Sequence, residues 1–198
     1  MQITADLVKQ LRDRTGAGMM ECKKALADAA GDLEKAVDAL RKSGAAKAEK
    51  RADRAANEGR VDSYIHPGNR VGVLIEVNCE TDFVARTSEF EDLVRNLAMQ
   101  AAAAGADYVR REDVPAERIE REREIYRAQM EGQNKPAAVI DKIVVGKLDR
   151  FYSETCLLEQ PYIRDDKKTI ANIVQEAVAK TGENIVVRRF ARFRLGQE

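Results

Sequence analysis

The sequence is short of histidine, cysteine, net charge and long apolar runs, and each shortage removes a class of function. Lys+Arg and Asp+Glu both total 34 in 198 residues, so the net charge is zero. A protein held mainly by phosphate backbones carries a basic excess. Steering toward nucleic acid or a membrane surface is therefore not expected, which leaves room only for a local patch. The longest apolar runs, such as Ile143-Val144-Val145, are far too short to cross a bilayer. Residues 1–10 mix Asp6 and Lys9 into a short amphipathic stretch, unlike the apolar block of a signal peptide. Cys22, Cys79 and Cys156 are odd in number and scattered, which argues against a disulfide framework or a zinc knuckle. Buried free thiols in a reducing, cytoplasmic compartment are expected instead. His66 is the only histidine; it abuts a turn without an acid or cysteine to complete a metal set, and it reads as structural. Gly16-Ala17-Gly18 is too short for a dinucleotide fingerprint and follows a helix pattern, not a strand. With no phosphate-cradling loop and no nucleophile elbow, the expectation is no catalytic residue, no metal and no cofactor.

The chain is long enough for one or two domains with a real core. Residues 1–43 read as three short helices. Thr4 can cap the first, Leu7, Val8 and Leu11 share one face, and Gly16 and Gly18 stop it. The second starts near Met19 and is expected to bury Met20, Ala25 and Leu26 or their neighbours. Gly31 ends it, Asp32 caps the third, and Gly44 is expected to close that helix. Residues 44–59 read as a linker in which acids interrupt a basic run, favouring a solvated, partly helical tether over an RNA-binding arm.

From residue 60 the period changes. Val61, Ser63 and Ile65 alternate with polar neighbours, as do Val71, Val73, Ile75 and Val77 beyond the turn Pro67-Gly68-Asn69: a β-hairpin. A loop is expected over 80–87, then a helix opened by the capping pattern Ser88-Glu89-Phe90-Glu91. Residues 115–151 read as a helical hairpin with a highly charged first arm, a seam of Ile119, Tyr126 and Met130, and a turn from Gly132 to Pro136. The pattern suits a projecting antiparallel coiled coil or an ordinary surface helix pair, and does not choose between them. An amphipathic helix through Ile170, Ile173 and Val178 and a closing strand over Ile185-Val186-Val187 and Phe190 complete an α+β core spanning 60–198.

Two long segments carry a resemblance. Residues 11–26, Leu11-Arg12-Asp13-Arg14-Thr15-Gly16-Ala17-Gly18-Met19-Met20-Glu21-Cys22-Lys23-Lys24-Ala25-Leu26, resemble the N-terminal signature of bacterial elongation factor Ts. Val77-Asn78-Cys79-Glu80-Thr81-Asp82-Phe83-Val84-Ala85-Arg86 resembles that family's second signature, in its order and at about its spacing. Leu158-Glu159-Gln160-Pro161-Tyr162 and Gly182-Glu183-Asn184-Ile185 are similar to further family segments.

The resemblance implies a ubiquitin-associated-type three-helix domain, a linker and an α+β dimerisation core, in the short form with one core copy. It implies a homodimer and a partner, elongation factor Tu, in its GDP-bound and nucleotide-free forms. It also implies the activity, release of GDP without any bond chemistry. On the matched positions, Thr81, Asp82, Phe83 and Val84 would disturb the magnesium and phosphate region of the GTPase, with Phe83 as a wedge between its helices. Arg12, Met19 and Met20 would make a second contact. From the residues alone, Phe83 reads as a buried loop anchor and the two methionines as core. Other classes stay open: an RNA- or ribosome-associated binding module, or an adaptor whose small bundle binds helices.

Overall fold

A computed structural model describes residues 3–132 and 135–197. The chain divides into two compact units.

The first unit comprises residues 1–61, 76–94 and 171–188. Its helices α1 (Ala5–Thr15), α2 (Met19–Asp28) and α3 (Leu33–Glu49) pack around Val8, Leu11, Cys22, Ala25, Leu26, Ala36 and Val37. The expected caps hold. Thr4 accepts from the Leu7 N–H and Asp32 from the Lys35 N–H, while Gly16 takes the left-handed conformation that ends α1. Two expectations fail here. Met20 lies on the exposed side of α2, and Cys22 takes the inward place on that helix. Gly44 does not close α3, which continues to Glu49. Its flanks, Ala45, Ala46 and Ala48, are strong helix formers, and a helical glycine costs only about 1 kcal/mol relative to alanine. A Cβ at Gly44 would meet that of Ala179 at 3.5 Å, so α3 passes close to α8 (Ile170–Thr181) there.

A three-stranded sheet has the order β1-β2-β5, with β1 (Glu58–Ile65) and β2 (Val71–Cys79) forming the expected hairpin and β5 (Val186–Arg194) the closing strand. Along β2, Val73, Ile75, Val77 and Cys79 are buried and the residues between them are not. After β2 the expected loop contains one helical turn, α4 (Asp82–Ala85), and then α5 (Ser88–Ala104). The cap of α5 is Thr87, not Ser88. The Thr87 hydroxyl accepts from the Phe90 N–H at 3.3 Å and donates to the Val84 carbonyl at 2.8 Å, so one side chain closes α4 and opens α5.

The second unit comprises residues 62–75, 95–170 and 189–198. It holds the helical hairpin, α6 (Ala116–Ala128) and α7 (Ala137–Thr155), whose second arm runs past the expected Phe151. Part of the expected turn, residues 133 and 134, lies outside the described residues. The base of the hairpin packs Val114, Phe151 and Cys156 with Tyr108, Ile119 and Tyr152. Arg111 stacks over the Tyr152 ring and pairs with both Asp149 and Glu159, whose charges hold its guanidinium firmly protonated. A small ribbon, β3 (Pro161–Tyr162) and β4 (Asp165–Thr169), is an element the sequence pattern did not suggest. Above it the buried Gln100 donates to Gln160 and to the Pro161 carbonyl and accepts from the Ile163 N–H. That polar core is satisfied, as burial requires.

Candidate partner-binding site

Strand β2 delivers the chain to Glu80 and Thr81, and Thr81 begins the turn. Its backbone is extended (φ −128°, ψ 151°) and its hydroxyl accepts from the Val84 N–H at 3.3 Å, an N-cap in miniature. Val84 and Ala85 are buried and anchor the turn. Phe83, between the capped end and this anchor, points away from the protein and is 78% exposed. Asp82 is exposed and pairs with Arg86 at 2.9 Å.

The turn is tied down from a distant part of the chain. The Glu183 carboxylate accepts from the Glu80 N–H (3.1 Å), the Thr81 N–H (3.1 Å) and the Thr81 hydroxyl (2.6 Å). In return, the Glu80 carboxylate accepts from the Asn184 N–H at 2.6 Å and pairs with Arg54 at 3.5 Å. The buried Asn184 amide donates to the carbonyls of Ala52 and Arg54. Burial pushes the Cys79 thiol up, and the Glu183 charge pushes it further. The thiol therefore stays protonated at neutral pH and can donate to the Thr81 carbonyl at 3.1 Å. Residues 80–85 thus form a hydrogen-bonded turn that displays an aromatic ring to solvent.

The other candidates sit on the bundle. Met19 and Met20 occupy the first turn of α2 and are 57% and 76% exposed, and Arg12 is exposed on α1. Lys47 pairs with Glu21 beside them and holds its carboxyl below the usual range. The bundle residues and the Thr81–Val84 turn belong to the same compact unit. Among the described residues no group of His, Cys, Asp and Glu converges as a metal set, and no helix is long and apolar enough to cross a membrane.

Residues 2–197 match the family described as Elongation factor TS. The chain belongs to the elongation factor Ts family. Among its relatives, an elongation factor Ts of Caldanaerobacter subterraneus subsp. tengcongensis is 60% identical over 195 residues, 98% of each chain. That of Pseudothermotoga lettingae is 60% identical over 198 residues, the whole of both chains. That of Coprothermobacter proteolyticus is 59% identical over 197 residues, again covering both in full. Family membership therefore rests on the entire chain and not on two short signatures.

For this member of the elongation factor Ts family, the structure reverses two judgements made on residue type alone: neither Phe83 nor the methionine pair is core. It also adds residues that sequence reasoning passed over, namely Glu80, Glu183 and Asn184. The segment Gly182-Glu183-Asn184-Ile185 carried the family resemblance, but nothing in its composition links it to a turn a hundred residues earlier.

Proposed function

We propose that this chain is a guanine-nucleotide exchange factor that binds elongation factor Tu, both GDP-bound and nucleotide-free, and promotes GDP release without catalytic chemistry. The observation that carries this reading is Phe83, an aromatic ring held out into solvent on a capped and latched turn. By linkage, a partner that binds the nucleotide-free GTPase more tightly weakens GDP binding by the same factor. No proton transfer or nucleophile is needed. Thr81 and Val84 fix the turn, Phe83 wedges between partner helices, and Asp82 brings negative charge near the magnesium and phosphate region. Weaker magnesium binding leaves the diphosphate less neutralised, so GDP leaves faster. The ubiquitin-associated-type bundle makes the second contact through Arg12, Met19 and Met20. The site of action is the cytoplasm, and no nucleic acid or membrane takes part.

The test is release of labelled GDP from elongation factor Tu with and without the chain. Substoichiometric chain accelerates release if the proposal holds. Unchanged release combined with steeply salt-dependent RNA binding would move the protein to the RNA-associated class.

The active form proposed is a homodimer, because a short member with one core copy must obtain a second from another chain. An apolar surface supports this: Ile65, Leu74, Phe193 and Leu195 are exposed around one open groove at the hairpin end of the sheet. Leu74→Arg places a charge in that face and is expected to give a monomer by sedimentation equilibrium at micromolar concentration. Wild-type protein that sediments only as a monomer there removes the dimer. In the second unit, the helical hairpin is proposed to be a coiled coil. Lys147 with Gln129 and Arg127 with Asp141 link its two arms across the seam.

A further inference from the structure

We propose that Glu183 is a positioning residue for the exchange turn, presetting Phe83 before the partner arrives; this rests on the exchange reading above. Its carboxylate accepts three hydrogen bonds, from two backbone N–H groups and one hydroxyl, all of a single short segment. Bonds from N–H and O–H donors to an ionised carboxylate are shorter and stronger than neutral ones. The hydroxyl bond matters most. Thr81 Oγ1 donates to Glu183 while accepting from the Val84 N–H, so the carboxylate fixes the rotamer that caps α4. A chain of two hydrogen bonds thus runs from Glu183 to the turn that aims Phe83.

The support for Glu183 comes mainly from outside the turn it orients, through Ala52 and Arg54, with one bond to Glu80 inside it. The neighbouring Asn184 is buried, its side-chain amide donates to the Ala52 and Arg54 carbonyls, and its N–H donates to the Glu80 carboxylate. Loss of the Glu183 carboxylate therefore leaves the segment anchored. The donors it frees lie at a partly exposed site where water can replace it, so the fold survives while the turn samples more conformations. A turn that must be ordered during docking binds more weakly than one already in place.

The experiment uses the full chain in four forms: wild type, Glu183→Ala, Phe83→Ala and the double variant. It measures labelled GDP release from elongation factor Tu against factor concentration, and backbone amide hydrogen exchange of the free protein. Glu183→Ala is expected to melt as wild type, to exchange faster only around residues 80–85, and to stimulate release about ten- to a hundred-fold less. Glu183→Gln, which keeps one acceptor oxygen, falls between. Because Glu183 acts through Phe83, adding Glu183→Ala to Phe83→Ala costs less than about twofold more. Equal effects of Glu183→Ala in both backgrounds overturn the proposal, as does unchanged exchange at residues 80–85. Should Glu183→Ala fail to fold, the isosteric Glu183→Gln takes its place in the same cycle. The two failures are distinguishable: wild type that does not stimulate release defeats the exchange reading, whereas a Phe83-dependent activity indifferent to Glu183 defeats only the positioning role.

Discussion

Phe83→Ala is expected to fold and melt as wild type and to stimulate GDP release about ten- to a few-hundred-fold less. The fold is spared because the ring is 78% exposed and the turn is held by its neighbours, Thr81 through its cap and Val84 and Ala85 through burial. Surface substitutions away from special features move stability by about 0.5 kcal/mol or less. The activity is not spared. Burying a phenylalanine side chain contributes roughly 1.5–3 kcal/mol, and that range sets the fold-change. A larger loss would mean that the ring also organises the rest of the interface. A well-folded Phe83→Ala protein with wild-type exchange kinetics removes the wedge.

The second large effect falls on stability. Gly59→Ala is expected to lower the unfolding free energy by about 3 kcal/mol or more, seen as a fall in the urea midpoint. Gly59 sits in β1 at φ +143°, a conformation that L side chains rarely adopt. A Cβ there would lie 2.2 Å from the Val77 carbonyl oxygen and 2.7 Å from the Asn78 Cα. Both are backbone atoms, so no rotamer change relieves the clash. Beside it, the Asn78 side chain donates to the Glu58 carbonyl at 3.2 Å, which draws the strands together where the glycine allows it. An unchanged midpoint would show that the strands are not this close at Gly59.

Much of the architecture was legible because it follows from period and punctuation. The alternation from Val71 to Val77 sets the buried face of β2, and Thr4, Gly16 and Asp32 mark helix ends by mechanisms that act within four residues. What failed depended on neighbours remote in sequence or on competition between adjacent signals. Gly44 looks like a stop but lies within alanine-rich helix running beside α8. Thr87 and Ser88 are both good caps, and the choice fell to Thr87 because its hydroxyl also serves Val84. Phe83 and Met20 were indistinguishable from core by residue type, since their exposure depends on how α4 and α2 are packed. The Glu183 latch spans 102 residues to Thr81, and no local pattern encodes it.

The uninterrupted run of α3 to Glu49 has a consequence for recognition by two points. A floppy tether after Gly44 would give the bundle a wide search volume and a modest effective concentration once the Phe83 turn had engaged. Instead, helix continues through that position, and Met19, Met20 and Phe83 all belong to one compact unit. The span between the two proposed contacts is then set by the folded factor before any encounter. Under the proposed function such a factor works as a caliper: it grips a GTPase whose two sites match its gauge and gains little from one whose sites do not.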